Sequence, residues 1–283
     1  MIDGRHAEVA RGPRMRTLSR PMVRTVQAVR YVAPFREGGS VPALVEADDD
    51  GLYVVKLRGA GQGAKALIAE LVSGELARAA GLGVPELAFV ELDAAFGRAE
   101  PDPEICAPLE ASAGLNLGLD YLPGSITFDP VAGPAPDAET ASRAVLFDAF
   151  VVNVDRTPRN PNLLHWHARL WLIDHGASLY FHHGWRAQDR LEGSDDPFVE
   201  VRQHVLLPFA GALDAAAAHL RATFDKALFE RVAAQIPASW MSHRDGFADE
   251  HEHSQAYVDW LEARLAKLPI ILEEAKRARA ELV

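Results

Sequence analysis

Residues 150–176 read FVVNVDRTPRNPNLLHWHARLWLIDHG and form the most informative segment of the chain. The pattern predicts that a helix ends near Val152 and that a polar loop follows it. Two apolar strands are then expected over residues 163–167 and 170–174. We expect the dipeptide Ala168-Arg169 between them to form a hairpin turn.

This hairpin predicts where the polar side chains of the segment meet. With the turn at those two residues, Leu163 lies opposite Asp174, about 5 Å away across the strand pair. Asn160 and Asn162, at the end of the polar loop, are then expected beside the Asp174 carboxylate. Asp155 lies at the other end of the same short loop.

An aspartate, an amide oxygen and a second aspartate in one loop suit a site for magnesium and phosphate. Mg²⁺ prefers hard oxygen ligands and takes few of them from protein. Asp174 would be the main ligand and an asparagine the second, while Asp155 would accept the proton of an attacking hydroxyl. Asp155 precedes Asn160 by five residues, as Asp precedes Asn in the kinase catalytic loop. In the alternative interpretation, Asp155 and Asn160 are turn residues and Asp174 is a strand-end cap.

The motifs of this segment resemble those of the HipA-like kinases, relatives within the phosphatidylinositol 3-/4-kinase-like fold. DRTPRNPNLL at residues 155–164 is similar to the D-R-H-x-x-N motif of that family, and LIDHG at residues 172–176 is similar to its I-D-x-G metal motif. The resemblance covers residues 26–181. It implies a two-lobed, protein-kinase-like fold with ATP and Mg²⁺ in the cleft.

The resemblance also implies a role for each polar residue of the loop. Asp155 would be the catalytic aspartate and Asp174 the principal magnesium ligand. Asn160 is the first candidate for the metal-binding amide, and Asn162 repeats it two residues later, so both are candidates. The phosphate acceptor is expected to be a hydroxyl on a protein or on a small molecule.

Lys56 is a charged residue within the apolar strand predicted over residues 52–57. Burial of its ammonium group costs free energy unless it finds an anion. An ATP phosphate and a helix glutamate would be such partners. The helix predicted over residues 64–80 offers Glu70 and Glu75, and the family resemblance favours Glu70. In the alternative interpretation, Lys56 is an ordinary edge-strand lysine.

The resemblance places two further parts of a nucleotide site. The turn at residues 35–40 would cover the phosphates, where the backbone of Gly38 and Gly39 could approach them closely. It also implies self-inhibitory phosphorylation of Ser40, but the interpretation we favour is that Ser40 is a plain turn residue beside its glycines. The interlobe segment, whose backbone would contact adenine, comprises Asp120, Tyr121 and Leu122.

The rest of the chain predicts an α+β protein in two lobes. Strands are expected over residues 26–32, 42–46, 52–57, 85–92 and 115–122, with a loop over 99–113. Further helices are expected over residues 139–152, 199–209, 210–220, 225–235 and 254–281. The predicted divisions are an Arg-rich tail (1–21), a small β-rich N-lobe with one main helix (22–122) and a mostly helical C-lobe (123–283).

Two other functions are compatible with parts of the sequence. Gly59, Gly61 and Ala64 between a strand and a helix match the G-x-G-x-x-A turn of NAD(P)-binding oxidoreductases, with Glu91 or Asp93 as the ribose-binding acid. The second half lacks the alternating strands and helices that this fold requires. The other alternative is an ATP-binding module without catalytic activity.

His243-Arg-Asp245 also imitates a kinase motif, the H-R-D of the catalytic loop. Five residues after Asp245 stands Glu250 in place of the expected asparagine, and no apolar strand follows. We therefore interpret this tripeptide as part of a polar loop before the last helix.

Composition excludes several classes of protein. The chain has 283 residues, 48% of them hydrophobic, and a single cysteine, Cys106, which excludes an intrachain disulfide scaffold. A net charge of −11 disfavours nucleic acid as a partner. No apolar run reaches the ~20 residues that span a bilayer. We expect a soluble, cytoplasmic protein with no membrane partner.

Overall fold

A closed five-stranded barrel opens the computed structural model, which describes residues 23–35, 42–96, 102–241 and 245–282. Its strands are β1 (Arg24–Pro34), β2 (Ala43–Ala47), β3 (Leu52–Lys56), β4 (Leu87–Leu92) and β5 (Gly114–Asp120). Neighbouring strands run antiparallel in the order β1-β2-β3-β5-β4, and β1 closes the barrel by pairing with β4 in parallel. Alternate side chains fill the interior, among them Val45, Tyr53 and Val55, which are fully buried.

Helices account for most of the remaining chain. The first, α1 (Ala64–Ala79), is buried continuously from Leu67 to Ala77 between the barrel and the helices of the C-terminal half. The others are α2 (Pro103–Ala111), α3 (Ala138–Phe150), α4 (Leu213–Thr223), α5 (Lys226–Ala233), α6 (Glu250–Ala266) and α7 (Leu268–Ala280). A sheet-rich N-lobe and a helical C-lobe result, which confirms the predicted α+β, two-lobed fold. Across the described ranges, none of these helices has the length and apolar character needed to cross a membrane.

A small second sheet carries the polar loop, and its register differs from the prediction. It consists of β6 (Ile126–Thr127), β7 (Leu163–Trp166) and β8 (Arg169–Leu172). The hairpin turn is His167-Ala168, both with left-handed backbone at φ 48° and 58°, so Leu163 pairs with Leu172. Asp174 therefore lies beyond the end of the strand, while the N–H of Ile173 donates to the carbonyl of Asn162 at 3.0 Å.

Three predictions of secondary structure are wrong in detail. The loop predicted over residues 99–113 contains α2. The helix predicted over 199–209 consists of two short 3-10 turns, Val199–Gln203 and Leu207–Phe209. The helix predicted over 254–281 is two helices, because Pro269 lacks an N–H and lies in the first turn of α7, after a break at Lys267.

The glycine-rich turn between β3 and α1 does not form a dinucleotide site. In a dinucleotide-binding βαβ unit the two parallel strands are hydrogen-bonded neighbours, whereas here β5 lies between β3 and β4 and pairs antiparallel with both. The turn packs against α2 instead, where Gly59 donates its N–H to Ser112 Oγ at 2.8 Å. A Cβ at Gly59 would lie 2.5 Å from Ala111 Cβ, so the glycine is required by close packing.

Helix α3 ends where the polar loop begins, and a charged side chain lies at each of its ends. At the N-terminus Asp137 accepts a hydrogen bond from the Thr140 N–H at 2.8 Å. At the C-terminus the Arg264 guanidinium donates to the carbonyls of Ala149 and Phe150 at 2.8 and 3.2 Å. Burial lowers the pKa of Arg264 to about 10, which leaves it charged at neutral pH. A cation at this end complements the helix dipole and fixes the start of the loop.

Substitution of Gly59 by alanine should destabilise the fold by about 1–3 kcal/mol, because overpacking displaces the backbone of α2. The measurement is the urea midpoint of unfolding. Gly184→Ala is the matched control, because nothing lies within 4 Å of its Cβ position. Equal midpoints for Gly59→Ala and the parent would contradict the packing role of this turn.

Candidate active site

A buried ion pair joins the barrel to α1. Lys56, at the end of β3, donates from Nζ to Glu70 Oε2 at 2.5 Å, and their side chains are 11% and 0% exposed. Burial opposes the charge on Lys56, but Asp174 and Glu70 overcome it and raise its pKa above the ordinary lysine value. Burial also opposes the charge on Glu70, yet Lys56 and His175 lower the pKa of Glu70 to about 2. Glu75, the other candidate, pairs with Arg78 at 3.5 Å.

The same lysine reaches the C-lobe. Its Nζ also donates to Asp174 Oδ1, so one ammonium group contacts a carboxylate from each lobe. Asp174 is the more exposed partner, with 43% of its side chain accessible, and its backbone is left-handed at φ 55°. Gly176 lies close to the same ammonium group, because a Cβ atom added at Gly176 would be 3.4 Å from Lys56 Nζ.

His175 is a site residue that sequence reasoning did not identify. Its ring is fully buried, stands edge-on to Phe147 and places Nδ1 3.4 Å from Glu70 Oε1. Because a carboxylate only accepts, Nδ1 carries the proton of this contact. The available signal was its place in the sequence, directly after Asp174.

The polar loop holds Asp155 between two amides. Asn160 and Asn162 donate from Nδ2 to Asp155 Oδ2, at 2.7 and 3.3 Å. Asp155 is itself placed by Asn153, whose Oδ1 accepts its backbone N–H at 3.2 Å. Both predicted amides therefore contact the predicted catalytic aspartate, and each leaves its Oδ1 to face other groups.

Arg156 connects this loop to the strand that precedes Asp174. Fully buried, it donates from Nη1 to the carbonyls of Asn162 and Ile173, at 2.5 and 3.1 Å. Its Nε donates to Asp148 on α3 at 2.5 Å. The two ends of the site, near Asp155 and near Asp174, are thus held by one guanidinium group.

Asp148 is the centre of a second buried network. Besides Arg156 it accepts from Asn153 Nδ2 at 3.0 Å and from His204 Nε2 at 2.9 Å. His204 Nδ1 accepts the N–H of Leu206 at 3.0 Å, so Nε2 carries the proton and the ring is neutral. Although burial opposes its charge, Arg156 and His204 lower the pKa of Asp148 below the ordinary range. Burial lowers the pKa of His204.

The predicted nucleotide-binding segments are placed only in part. The N–H groups of Asp120 and Tyr121 donate to the carbonyls of Glu86 and Leu52, both at 2.8 Å. The N–H of Leu122 makes no hydrogen bond within the described part of the chain, so it alone of the three is available to a ligand. The predicted phosphate turn, with Gly38, Gly39 and Ser40, lies outside the described residues.

These residues fit a magnesium–nucleotide complex by their chemistry. The exposed carboxylate of Asp174 and the amide oxygens of Asn160 and Asn162 are hard ligands of the kind Mg²⁺ takes from protein. Lys56 offers an ammonium group beside them for phosphate. Asn162 lies nearer to Asp174 along the hydrogen-bonded backbone, since its carbonyl bonds to Ile173. Within the described ranges no three His, Cys, Asp or Glu side chains could hold a metal by themselves, and a site completed by phosphate and water does not require them.

Comparison with known proteins identifies the same fold. The sequence matches the family model of the HipA-like kinases over residues 28–268, most of the chain, and no curated protein gives a match. The solved structure of the Helicobacter pylori proinflammatory kinase CtkA is similar, with a TM-score of 0.57 at 13% identity, covering 91% of this chain and 99% of that one. For the Golgi casein kinase the TM-score is 0.46 at 13% identity, covering 93% and 75%. For the same kinase with Mn/ADP bound it is 0.44 at 11% identity, covering 89% and 73%.

The free energy of unfolding should fall when the pH drops from about 7.5 to about 5.5. The pKa of buried His204 is lowered in the folded state, whereas the unfolded chain takes up a proton near pH 6.5, so acid favours unfolding. His204→Gln keeps an N–H for Asp148 and removes this titration, so its urea midpoint should fall less over the same range. The exposed His251→Gln should keep the parental profile, and an unchanged profile in His204→Gln would contradict the assignment.

Proposed function

This chain belongs to the HipA-like kinase family, and on that premise we propose that it transfers the γ-phosphoryl group of ATP to a hydroxyl group on a protein, with Mg²⁺ bound. The observation that supports this most directly is the position of Lys56, in contact with Glu70 on one side and Asp174 on the other. A strand lysine in contact with a helix glutamate and beside the aspartate of the metal motif is the arrangement that protein kinases use for phosphoryl transfer.

Lys56 and Glu70 form the part of the site that holds phosphate. The pair keeps the ammonium group charged and fixed, with Glu70 itself held by His175. When Mg²⁺ and a nucleotide bind, Asp174 would turn from Lys56 to the metal, and the ammonium group would be left to the phosphate oxygens. The metal, held by Asp174 with Asn162 or Asn160, would neutralise charge that develops on those oxygens.

Asp155 would act on the acceptor. Its carboxylate takes the proton of the attacking hydroxyl as the oxygen forms a bond to the γ-phosphorus and the bond to the bridging oxygen of ADP breaks. Two amide donors hold Asp155 Oδ2, which leaves Oδ1 to face the acceptor. The free N–H of Leu122 would bind the adenine edge.

ATP with Mg²⁺ should raise the melting temperature, whereas NAD(H) should not. A ligand at 100 times its Kd stabilises the folded state by about 2.7 kcal/mol. Binding is tested by a thermal-shift measurement of the parent chain with each ligand in turn. Catalysis is tested by measuring ADP release and the transfer of ³²P from γ-labelled ATP to dephosphorylated casein. Stabilisation by ATP with neither ADP release nor transfer would indicate a non-catalytic module. A shift with NAD(H) alone would overturn the kinase proposal.

Asp155→Asn and Asp174→Asn should fail in different ways. Asp155→Asn should lower turnover by about 10²–10⁴-fold yet keep ATP binding, because it acts on the acceptor. Asp174→Asn should weaken Mg²⁺-dependent ATP binding as well. The measurements are ADP release and calorimetric titration with ATP and Mg²⁺. Asp195→Asn, at an exposed position, is the control. Parental turnover in Asp155→Asn and Asp174→Asn would contradict this assignment.

A further inference from the structure

Lys65 makes contacts that neither the fold of α1 nor the proposed chemistry accounts for. It lies in the first turn of α1, with 19% of its side chain exposed. Its Nζ donates to the carbonyl of His182 at 2.5 Å and to Asp245 Oδ1 at 3.1 Å. Both acceptors belong to the C-lobe, so Lys65 ties the start of α1 to two separate parts of that lobe.

The position is unfavourable for a lysine unless those partners are present. The N-terminus of a helix carries partial positive charge, which favours acidic side chains and disfavours cations. The first turn of α1 contains no acidic residue, and Gly63 before it supplies no side-chain cap. Gly61 and Gly63 both have left-handed backbone, at φ 55° and 69°. The local sequence therefore does little to fix the start of this helix.

Asp245 belongs to a segment that crosses back to the N-lobe, here called the strap (residues 235–241 and 245–249). Gln235 Oε1 accepts the N–H of Val23 at 2.9 Å. Trp240 donates from Nε1 to the Leu115 carbonyl at 3.0 Å and packs edge-on against Phe89. The side chain of Asp245 is only 14% exposed, so its charge is desolvated and bound to Lys65.

His182 belongs to the segment that follows the metal motif. Its ring is fully buried, with Nδ1 3.1 Å from the Tyr257 hydroxyl. Burial, together with His183, Lys65 and His253, lowers the pKa of His182 well below the ordinary histidine value. The neutral ring adds no positive charge beside Lys65. The backbone carbonyl of His182 can therefore accept a hydrogen bond from the Lys65 ammonium group without repulsion from its own side chain.

We propose that Lys65 is a positioning residue that holds α1 against the C-lobe in the orientation where Glu70 reaches Lys56, with Asp245 of the strap as its anion. Glu70 lies five residues after Lys65 on the same helix, so movement of the helix start displaces the Glu70 carboxylate. Any loss of the Lys65 contacts separates Glu70 from Lys56. This role rests on the proposed kinase function for its effect on turnover, but the tie itself does not.

The test compares Lys65→Met, Lys65→Arg and Asp245→Asn with a matched control. Lys226→Met removes a lysine that also stands in the first turn of a helix and pairs with an acid, Glu262, at 3.2 Å on the surface. The readouts are kcat and KM for ATP by ADP release, and amide hydrogen exchange of α1 over residues 67–77. Exchange is informative whether or not the chain is active.

In Lys65→Met and Asp245→Asn, kcat should fall by up to about 100-fold, because small displacements of positioned groups are that costly. KM for ATP should change less, and α1 exchange should rise at least tenfold. Lys65→Arg should recover most of the loss. The Lys65→Met/Asp245→Asn double variant should be no worse than Lys65→Met, because Lys65→Met already removes the contact with Asp245. Lys226→Met should match the parent in both readouts.

Parental kcat together with parental α1 exchange in both Lys65→Met and Asp245→Asn would overturn the positioning role while leaving the kinase proposal intact. If the parent chain releases no ADP and does not bind ATP, the kinase proposal is overturned. The amide exchange of α1 would then test by itself whether Lys65 holds α1 against the C-lobe. If Lys65→Met does not fold, the nearly isosteric Asp245→Asn supplies the same decision.

Discussion

The buried ammonium group of Lys56 needs negative charge close by, because an unpaired charge inside a protein costs several kcal/mol. Glu70 on α1 and Asp174 after β8 supply it. The barrel, α1 and the segment that carries Asp174 therefore meet at Lys56. His175 also contacts Glu70, so the residue after Asp174 supports the glutamate that pairs with Lys56. The geometry of the cleft depends on this single charge.

Arg156 is a second buried cation, in the C-lobe, that holds several parts of the chain together. Its guanidinium donates to the carbonyls of Asn162 and Ile173 and pairs with Asp148 on α3. Separation of the ends of the polar loop would therefore leave this buried cation without hydrogen-bond partners. Its planar, five-donor group suits such a junction, which lysine could not form. In both lobes a buried cation therefore connects separate structural elements, and Lys65 is a third cation that joins α1 to the C-lobe.

Local patterns predicted elements well where propensity and periodicity agree, as for α1 and the barrel strands. They failed where the backbone conformation of one or two residues decides how the chain pairs. The turn of the hairpin is His167-Ala168, not Ala168-Arg169, because both turn residues adopt left-handed backbone that neither favours alone. That shift of pairing moved Asp174 off the strand. Helix α2 starts at Pro103 and contains Pro108, so its sequence resembles a loop.

The sequence by itself predicted Lys56, Asp155, Asn160, Asn162 and Asp174 as site residues, because each stands in a short motif with a characteristic spacing. Only the tertiary structure decided that Glu70, not Glu75, reaches Lys56, since both lie on the same buried stretch of helix. It alone revealed the contacts of Asp148 with His204 and of Lys65 with Asp245. Their partners are 56 and 180 residues apart, and no local periodicity records which distant segments the folded core brings together.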